Sequence, residues 1–213
     1  MTRLLIALVL VTALPRAASA QDRWTVELGG GGLWMGGYDA GSATATLTRP
    51  GSSTPLTLFA VNSRMLSAPG AAAQLGLFLG SRVSVEGAFH YSRPILRAHV
   101  TDDFESAPDT DVEGVVVTYL AQGSLLYHFG GGRFVPFVSG GAGYLRQIDE
   151  ENSDLVTGTE IHGGGGVKYW FGNGGRRLGL RFDAGVSSRS KSVALEQKRR
   201  LLPVVGVGIT FQF

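Results

Sequence analysis

The feature that most constrains this chain is a two-residue period that persists over stretches too long for an ordinary soluble strand. Between Arg82 and Ser92, the residues Val83, Val85, Phe89 and Tyr91 fall on one side with Gly87, and Arg82, Ser84, Glu86, His90 and Ser92 fall on the other. Between Val117 and Phe129, the residues Val117, Tyr119, Ala121, Leu125, Tyr127 and Phe129 share a side, while Thr118, Gln122, Ser124 and His128 take the opposite one. Between Arg177 and Ser187, Leu178, Leu180, Phe182, Ala184 and Val186 oppose Arg177, Arg181, Asp183 and Ser187. A strand directs successive side chains to opposite faces, so each segment reads as a β-strand with one apolar and one polar face. After the N-terminus no stretch approaches the roughly 18 apolar residues of a spanning helix, and no long segment keeps a helical period.

Alternation alone also suits a soluble sandwich or a lipocalin-like barrel. Three features select between these. The segments run to about 10 residues or more, as tilted membrane strands do, whereas soluble strands average about 5–6. The polar faces carry Glu86, Lys168, Arg181 and Asp183, which a soluble barrel would not bury and a membrane barrel turns toward its lumen. Aromatic residues stand near strand ends at Trp24, Tyr91, Phe129, Phe134, Tyr169, Phe171 and Phe213, where amphipathic rings meet the headgroup interface. Charged residues make up only 17% of the chain, low for a soluble surface. The 32 glycines follow no collagen period and are left to strands and turns. There is no cysteine, so disulfides and thiolate metal sites are excluded. No cofactor and no metal site are expected.

The N-terminus has the build of a secretory leader. Arg3 is basic, Leu4 to Leu14 is a short apolar run, and Ala18-Ser19-Ala20 is a small-residue cleavage site before Gln21. The apolar run is shorter than the ~20 residues a membrane-spanning helix needs. The expected organisation is a signal peptide over 1–20, cleaved near Ala20, and one domain over 21–213. Of the 19 basic side chains, Arg3 and Arg16 belong to the leader, which leaves 17 against 17 acidic ones. A near-neutral mature chain gives no indication of nucleic-acid binding.

Eight strands are expected, at about 22–35, 70–79, 82–93, 112–129, 134–146, 159–171, 177–187 and 201–213. Tight connections at Gly80-Ser81, Gly130 to Arg133 and Gly172 to Arg176 alternate with long ones at 36–69, 94–111, 147–158 and 188–200. With both termini in the periplasm, every tight turn is periplasmic and every long loop extracellular. The predicted fold is all-β, an eight-stranded antiparallel transmembrane β-barrel whose closure leaves no open edge in lipid. Within the first long connection, Ala43 to Thr48 and Leu56 to Val61 could pair around Pro50-Gly51. Both pieces are short, so they are read as a hairpin above the membrane; ten strands is the alternative.

The chain ends on Val205, Val207, Ile209, Phe211 and Phe213, alternating with Gly206, Gly208, Thr210 and Gln212. This resembles the C-terminal assembly signal of outer-membrane proteins, with Val207, Ile209, Phe211 and Phe213 as the residues read by the barrel-assembly machinery. The segment Phe134 to Tyr144 (FVPFVSGGAGY) resembles the proline- and glycine-rich fifth strand of small OmpA/OmpX/OmpW-type barrels. The resemblance spans essentially the whole mature chain as an architecture. It implies the bacterial outer membrane as location and hardly bears on activity.

An eight-stranded barrel has room inside only for side chains, so inward charges must pair or stay hydrated. Glu27, Glu86, His90, Lys168, Arg181 and Asp183 supply both signs and are expected to form a lumen charge network. His90-Tyr91-Ser92 resembles the His-x-Ser of the outer-membrane lipid A deacylases. It lies on the third strand and an inward face, whereas that family's site is near the C-terminus and faces lipid, so no catalytic residue is assigned. The glycine runs Gly29 to Gly32 and Gly163 to Gly166 precede no helix start and are not phosphate loops. The loops hold acidic blocks at Asp102, Asp103, Glu105, Asp109 and Asp111 and at Asp149, Glu150, Glu151 and Asp154. These read first as solvated charge and second as oxygen ligands for divalent cations. A basic group at Arg189, Lys191, Lys198, Arg199 and Arg200 is expected at the extracellular rim, where it would meet lipopolysaccharide phosphates. The expected partners are outer-membrane lipid, lipopolysaccharide and the assembly machinery, for a monomer that binds no nucleic acid. The leading function is structural or surface-interacting. A narrow pore for small or hydrophobic solutes is the alternative, and a lipid-modifying enzyme the third.

Overall fold

The computed structural model describes residues 25–48, 50–51, 54–101, 108–150, 155–172, 177–190 and 199–213. The leader expected over 1–20 and the cleavage site expected near Ala20 lie outside the described residues. The described residues form eleven strands: β1 (Val26–Met35), β2 (Tyr38–Leu47), β3 (Leu56–Met65), β4 (Ala68–Phe78), β5 (Val83–Ser92), β6 (Ile95–Thr101), β7 (Thr110–His128), β8 (Phe134–Asp149), β9 (Leu155–Phe171), β10 (Arg177–Ser190) and β11 (Arg200–Gln212).

Eight of the strands close a barrel in the cyclic order β1, β4, β5, β7, β8, β9, β10, β11. Every neighbouring pair is antiparallel, from Val26 opposite Leu77 on one side of β1 to Glu27 opposite Gln212 on the other. The pairing of β7 with β8 completes the ring. The ten-strand alternative is therefore not the one adopted, because the first-connection hairpin does not enter the ring.

That hairpin, β2 and β3, instead joins β6 and the first residues of β7 in a separate sheet, ordered β2-β3-β6-β7. Both hairpin strands are longer than the pieces legible in the sequence, and β6 was not anticipated. The sheet extends the barrel wall. Gly36-Gly37 separates β1 from β2, Leu66-Ser67 separates β3 from β4, and Arg93-Pro94 separates β5 from β6. Pro94 has no N–H to give to a ladder. A Cβ on Gly37 would lie 2.5 Å from the Met65 carbonyl oxygen, so only glycine lets the chain pass that close. At the other end Gly130 and Gly172, just beyond β7 and β9, both adopt φ of 105°, a region glycine enters without strain.

The burial is inverted relative to a soluble protein. Ile209 is 57% exposed while Lys168 is 2% exposed. Outward positions carry Leu28, Leu75, Leu125, Phe182 and Ile209, as an apolar solvent outside the barrel requires. The assembly-signal residues Val207 and Ile209 are outward and exposed on β11, Phe213 is exposed just after it, and the Phe211 and Phe213 rings meet edge to face 4.7 Å apart. The apolar core is small. Leu33, Met35, Val116 and Leu202 from the barrel pack with Tyr38, Ala40 and Met65 from the extension, at the junction of the two.

Candidate functional site: the barrel lumen

Inward side chains build the lumen in layers. Nearest the tight turns, Trp170 lies under the Arg177 guanidinium at 5.1 Å, and Arg177 Nε donates to Gln212 Oε1 at 3.0 Å. His128 stacks on Phe78 at 4.9 Å and shares a 3.0 Å hydrogen bond with Ser84 Oγ. Phe78, His128, Trp170, Arg177 and Gln212, with Val135, surround a cavity of about 200 Å³.

The next layer carries two ion pairs. Lys168 Nζ lies 2.6 Å from Glu27 Oε1, and Thr210 Oγ1 donates to that same oxygen at 2.7 Å. Arg181 Nη2 donates to Glu86 Oε1 at 3.0 Å, while its Nε reaches both carboxylate oxygens of Asp183 at 3.0 Å. Phe137 lies between the cations, with Lys168 Nζ 5.3 Å and the Arg181 guanidinium 4.9 Å from its ring centroid. Burying these charges is tolerable because each has an opposite charge and further hydrogen bonds.

Above this layer lies a second cavity of about 120 Å³, walled by glycines of β1, β9, β10 and β11, lined by Glu86, Asp183 and Arg181 from below and lined also by His90. Its upper polar group was not anticipated from the sequence. Arg189 Nε donates to Glu160 Oε2 at 3.2 Å, and Gln122 Nε2 donates to Glu160 Oε1 at 2.6 Å. Gln122 Nε2 also faces His162 Nδ1 at 3.3 Å. His162 Nε2 in turn shares a 2.8 Å hydrogen bond with Ser124 Oγ. Glu160 is 3.7 Å from the imidazole, too far for a hydrogen bond. The glycine wall is a packing requirement. A Cβ on Gly164 would meet the Ala184 carbonyl oxygen at 2.5 Å and the Gly185 Cα at 2.7 Å.

The six residues expected in the lumen, Glu27, Glu86, His90, Lys168, Arg181 and Asp183, all point inward. Five join the ion-paired layer and His90 lines the cavity above it. Glu160 and His162 have the same parity on β9 as Lys168, the signal by which they could have been added. Arg189 requires a correction. It was expected on the extracellular rim, but it points into the barrel, is 2% exposed and pairs with Glu160. The strand simply runs beyond Ser187, to Ser190, so the odd-numbered inward series Arg181, Asp183, Ser187 continues to Arg189. Of the other rim residues, Arg199 is exposed, Arg200 begins β11 half-buried, and Lys191 and Lys198 lie outside the described residues. In the acidic blocks, Asp111 accepts from His99 Nδ1 at 2.6 Å. Glu150 holds Arg93 at 2.7 Å, and the hydrogen bond and charge of that carboxylate raise the Arg93 pKa above its ordinary value. Asp102, Asp103, Glu105, Glu151 and Asp154 lie outside the described residues.

Among solved structures, the chain resembles the outer membrane protein OprG from Pseudomonas aeruginosa, with a TM-score of 0.56 and 12% identity over 91% of this chain and 98% of that one. It also resembles Ail, the attachment invasion locus protein of Yersinia pestis, with a TM-score of 0.50 and 12% identity over 90% of this chain and 100% of that one. At such identities the likeness is one of fold. No curated protein sequence matches the chain. The inverted burial and the closed eight-stranded ring agree with the family whose model matches residues 4–211: the chain belongs to the outer membrane protein beta-barrel domain family, of the bacterial outer membrane.

Proposed function

We propose that this protein is a non-enzymatic outer-membrane anchor with a structural and surface-interaction role. The tight turns face the periplasm, and the sheet β2-β3-β6-β7 stands outside the cell. The observation that carries this reading is the ion-paired layer. Lys168–Glu27 and Arg181–Glu86 cross the lumen around Phe137 with all four charged side chains buried, and a solute would have to separate them to pass. Opening that layer means leaving charges unpaired in a narrow space, which is costly. The apolar cluster at the junction with the extension adds a second obstruction. Outside, the sheet presents hydrogen-bonded polar pairs such as Arg97 Nε with Glu113 Oε1 at 2.7 Å. Among the described residues its β2 edge has no further strand.

A narrow pore for small or hydrophobic solutes is the competing reading. It is favoured by the two cavities stacked along the axis with a single layer between them. Planar-bilayer recording separates the two. The purified barrel should show no steady conductance at neutral pH, and Glu86→Gln should raise conductance by loosening the layer. A steady unitary conductance from the unaltered protein would overturn the anchor reading.

A further inference from the structure

Charge is placed unevenly along the barrel axis. Each of the three tight connections, 79–82, 129–133 and 172–176, ends on an arginine: Arg82, Arg133 and Arg176, the last followed by Arg177 at the start of β10. None of the three contains an aspartate or a glutamate. Close to that end Glu27 is held by Lys168, and Asp22 and Arg23, which precede the described residues, offset each other in charge. The acidic blocks belong to the long connections at the opposite end. A mature chain that is neutral as a whole therefore has an excess of positive charge at its tight-turn end.

The described arginines of this end surround the axis. Each continues the inward series of its strand: Arg82 leads to Ser84 and Glu86, Arg133 to Val135 and Phe137, and Arg177 to Arg181. The three connections stand two strands apart in the ring. That is about 12 Å along the rim, for strands ~4.8 Å apart and tilted by ~40°. The carbonyl oxygens of Arg82 and Arg133 accept from the N–H groups of His128 and Trp170, both at 2.7 Å. His128, Trp170 and Arg177 all line the lower cavity of about 200 Å³. Arg82 and Arg133 are exposed at its rim, and Arg177 is half-buried inside it. The arginines thus form a collar around a cavity that lies on the axis.

We propose that this collar is a docking surface for the carboxylate-bearing peptide stems of the cell wall. The surface rests on the orientation given under Proposed function, with the tight turns in the periplasm. A guanidinium takes a carboxylate in a two-pronged fashion. A polymer that repeats its carboxylates meets several arginines at once, so contacts that are weak singly add together. The cavity inside the collar gives the end of a peptide a place to enter. Phosphates of the inner leaflet carry the same charge but lie beside the wall. They reach Arg82, whose Nη1 is 3.5 Å from the Tyr127 hydroxyl, and they do not reach Arg177 over Trp170 within the wall.

The test is co-sedimentation of the folded barrel, in a zwitterionic detergent, with purified peptidoglycan sacculi. The unaltered barrel should sediment with sacculi at low salt and be released as salt screens the exposed charges. Combining Arg82→Gln, Arg133→Gln and Arg177→Gln should weaken binding about tenfold, as three exposed contacts together allow. Combining Arg64→Gln, Arg93→Gln and Arg146→Gln removes the same charge from the opposite end and should leave binding unchanged. Sacculi with amidated carboxylates should hold the unaltered barrel as weakly as untreated sacculi hold the collar variant, a comparison that needs no variant to fold. Equal sedimentation of the collar variant and the unaltered barrel would overturn the docking surface, and so would equal binding to amidated and untreated sacculi. Retention by phosphatidylglycerol vesicles and not by sacculi would overturn the choice of partner. Orientation is read separately: on intact cells, a cysteine introduced by Gly131→Cys should be shielded from a membrane-impermeant maleimide. Labelling there would overturn the orientation, whatever the sacculi show.

Discussion

Arg181 concentrates the lumen's electrostatics in one side chain. It holds Glu86 on β5, Asp183 on its own strand and the face of Phe137 at once. Replacing it with alanine leaves two carboxylates facing a cavity without the guanidinium that holds them both. Breaking a buried pair from one side costs about 3–5 kcal/mol, while replacing both partners with apolar residues is often close to neutral. Arg181→Ala should therefore lower the urea midpoint of the folded barrel in micelles. The pair Arg181→Leu with Glu86→Leu should recover much of the loss, by an amount a double-mutant cycle reads directly. An R181A barrel that unfolds no earlier than the unaltered one would mean that the network is not structural.

Among the elements, β11 has the most to do, because it joins the end of the chain to β1 and so closes the ring. Its ladder runs from Met35 opposite Val204 to Glu27 opposite Gln212, and the Phe213 N–H adds a bond to the Val26 carbonyl at 2.9 Å. Deleting Phe213 removes that bond and half of the aromatic pair with Phe211 at the interface. Folded barrel recovered from outer membranes should fall several-fold. Trimming 193–196 from the connection between β10 and β11 should leave it nearly unchanged, since connections carry few barrel contacts. Equal yields would count against the assembly-signal reading of Phe213. The barrel strands were legible in the sequence because lipid outside and charge inside write themselves into parity, residue by residue. The extension was only half legible. Its β2 is built from alanine, threonine and glycine with little contrast between faces, and β6 has a place only because β7 runs past the barrel rim to Thr110, which no local pattern reveals. Pairings across the lumen, such as Lys168 with Glu27, join residues far apart in the chain. The inward parity named both residues, but only the closed ring brings them together.

At the scale of the whole molecule, ring closure and inverted burial make a joint prediction. Each of the eight barrel strands is paired on both sides, so within lipid no ladder group is left to seek water, and detergent alone has no edge at which to begin. Unboiled protein should migrate differently from boiled protein in a denaturing gel, and the difference should persist until heat opens the ring. The same closure fixes the register, because a slip of one residue would exchange every inward and outward side chain. On β10 such a slip would put Arg181 into hydrocarbon, at about 2–4 kcal/mol for a basic group near the midplane, and Phe182 among the lumen charges. The native chain has no cysteine, so single cysteines can report the register without interference. Cysteines introduced by Leu180→Cys or Phe182→Cys should react with a lipid-dissolved maleimide. Those introduced by Arg181→Cys or Asp183→Cys should be protected from it, in samples whose gel shift shows the ring is closed. Reversed labelling in shifted samples would overturn the register. Labelling at all four positions would overturn the closed wall itself, and with it the separation of a charged interior from lipid on which the anchor role depends.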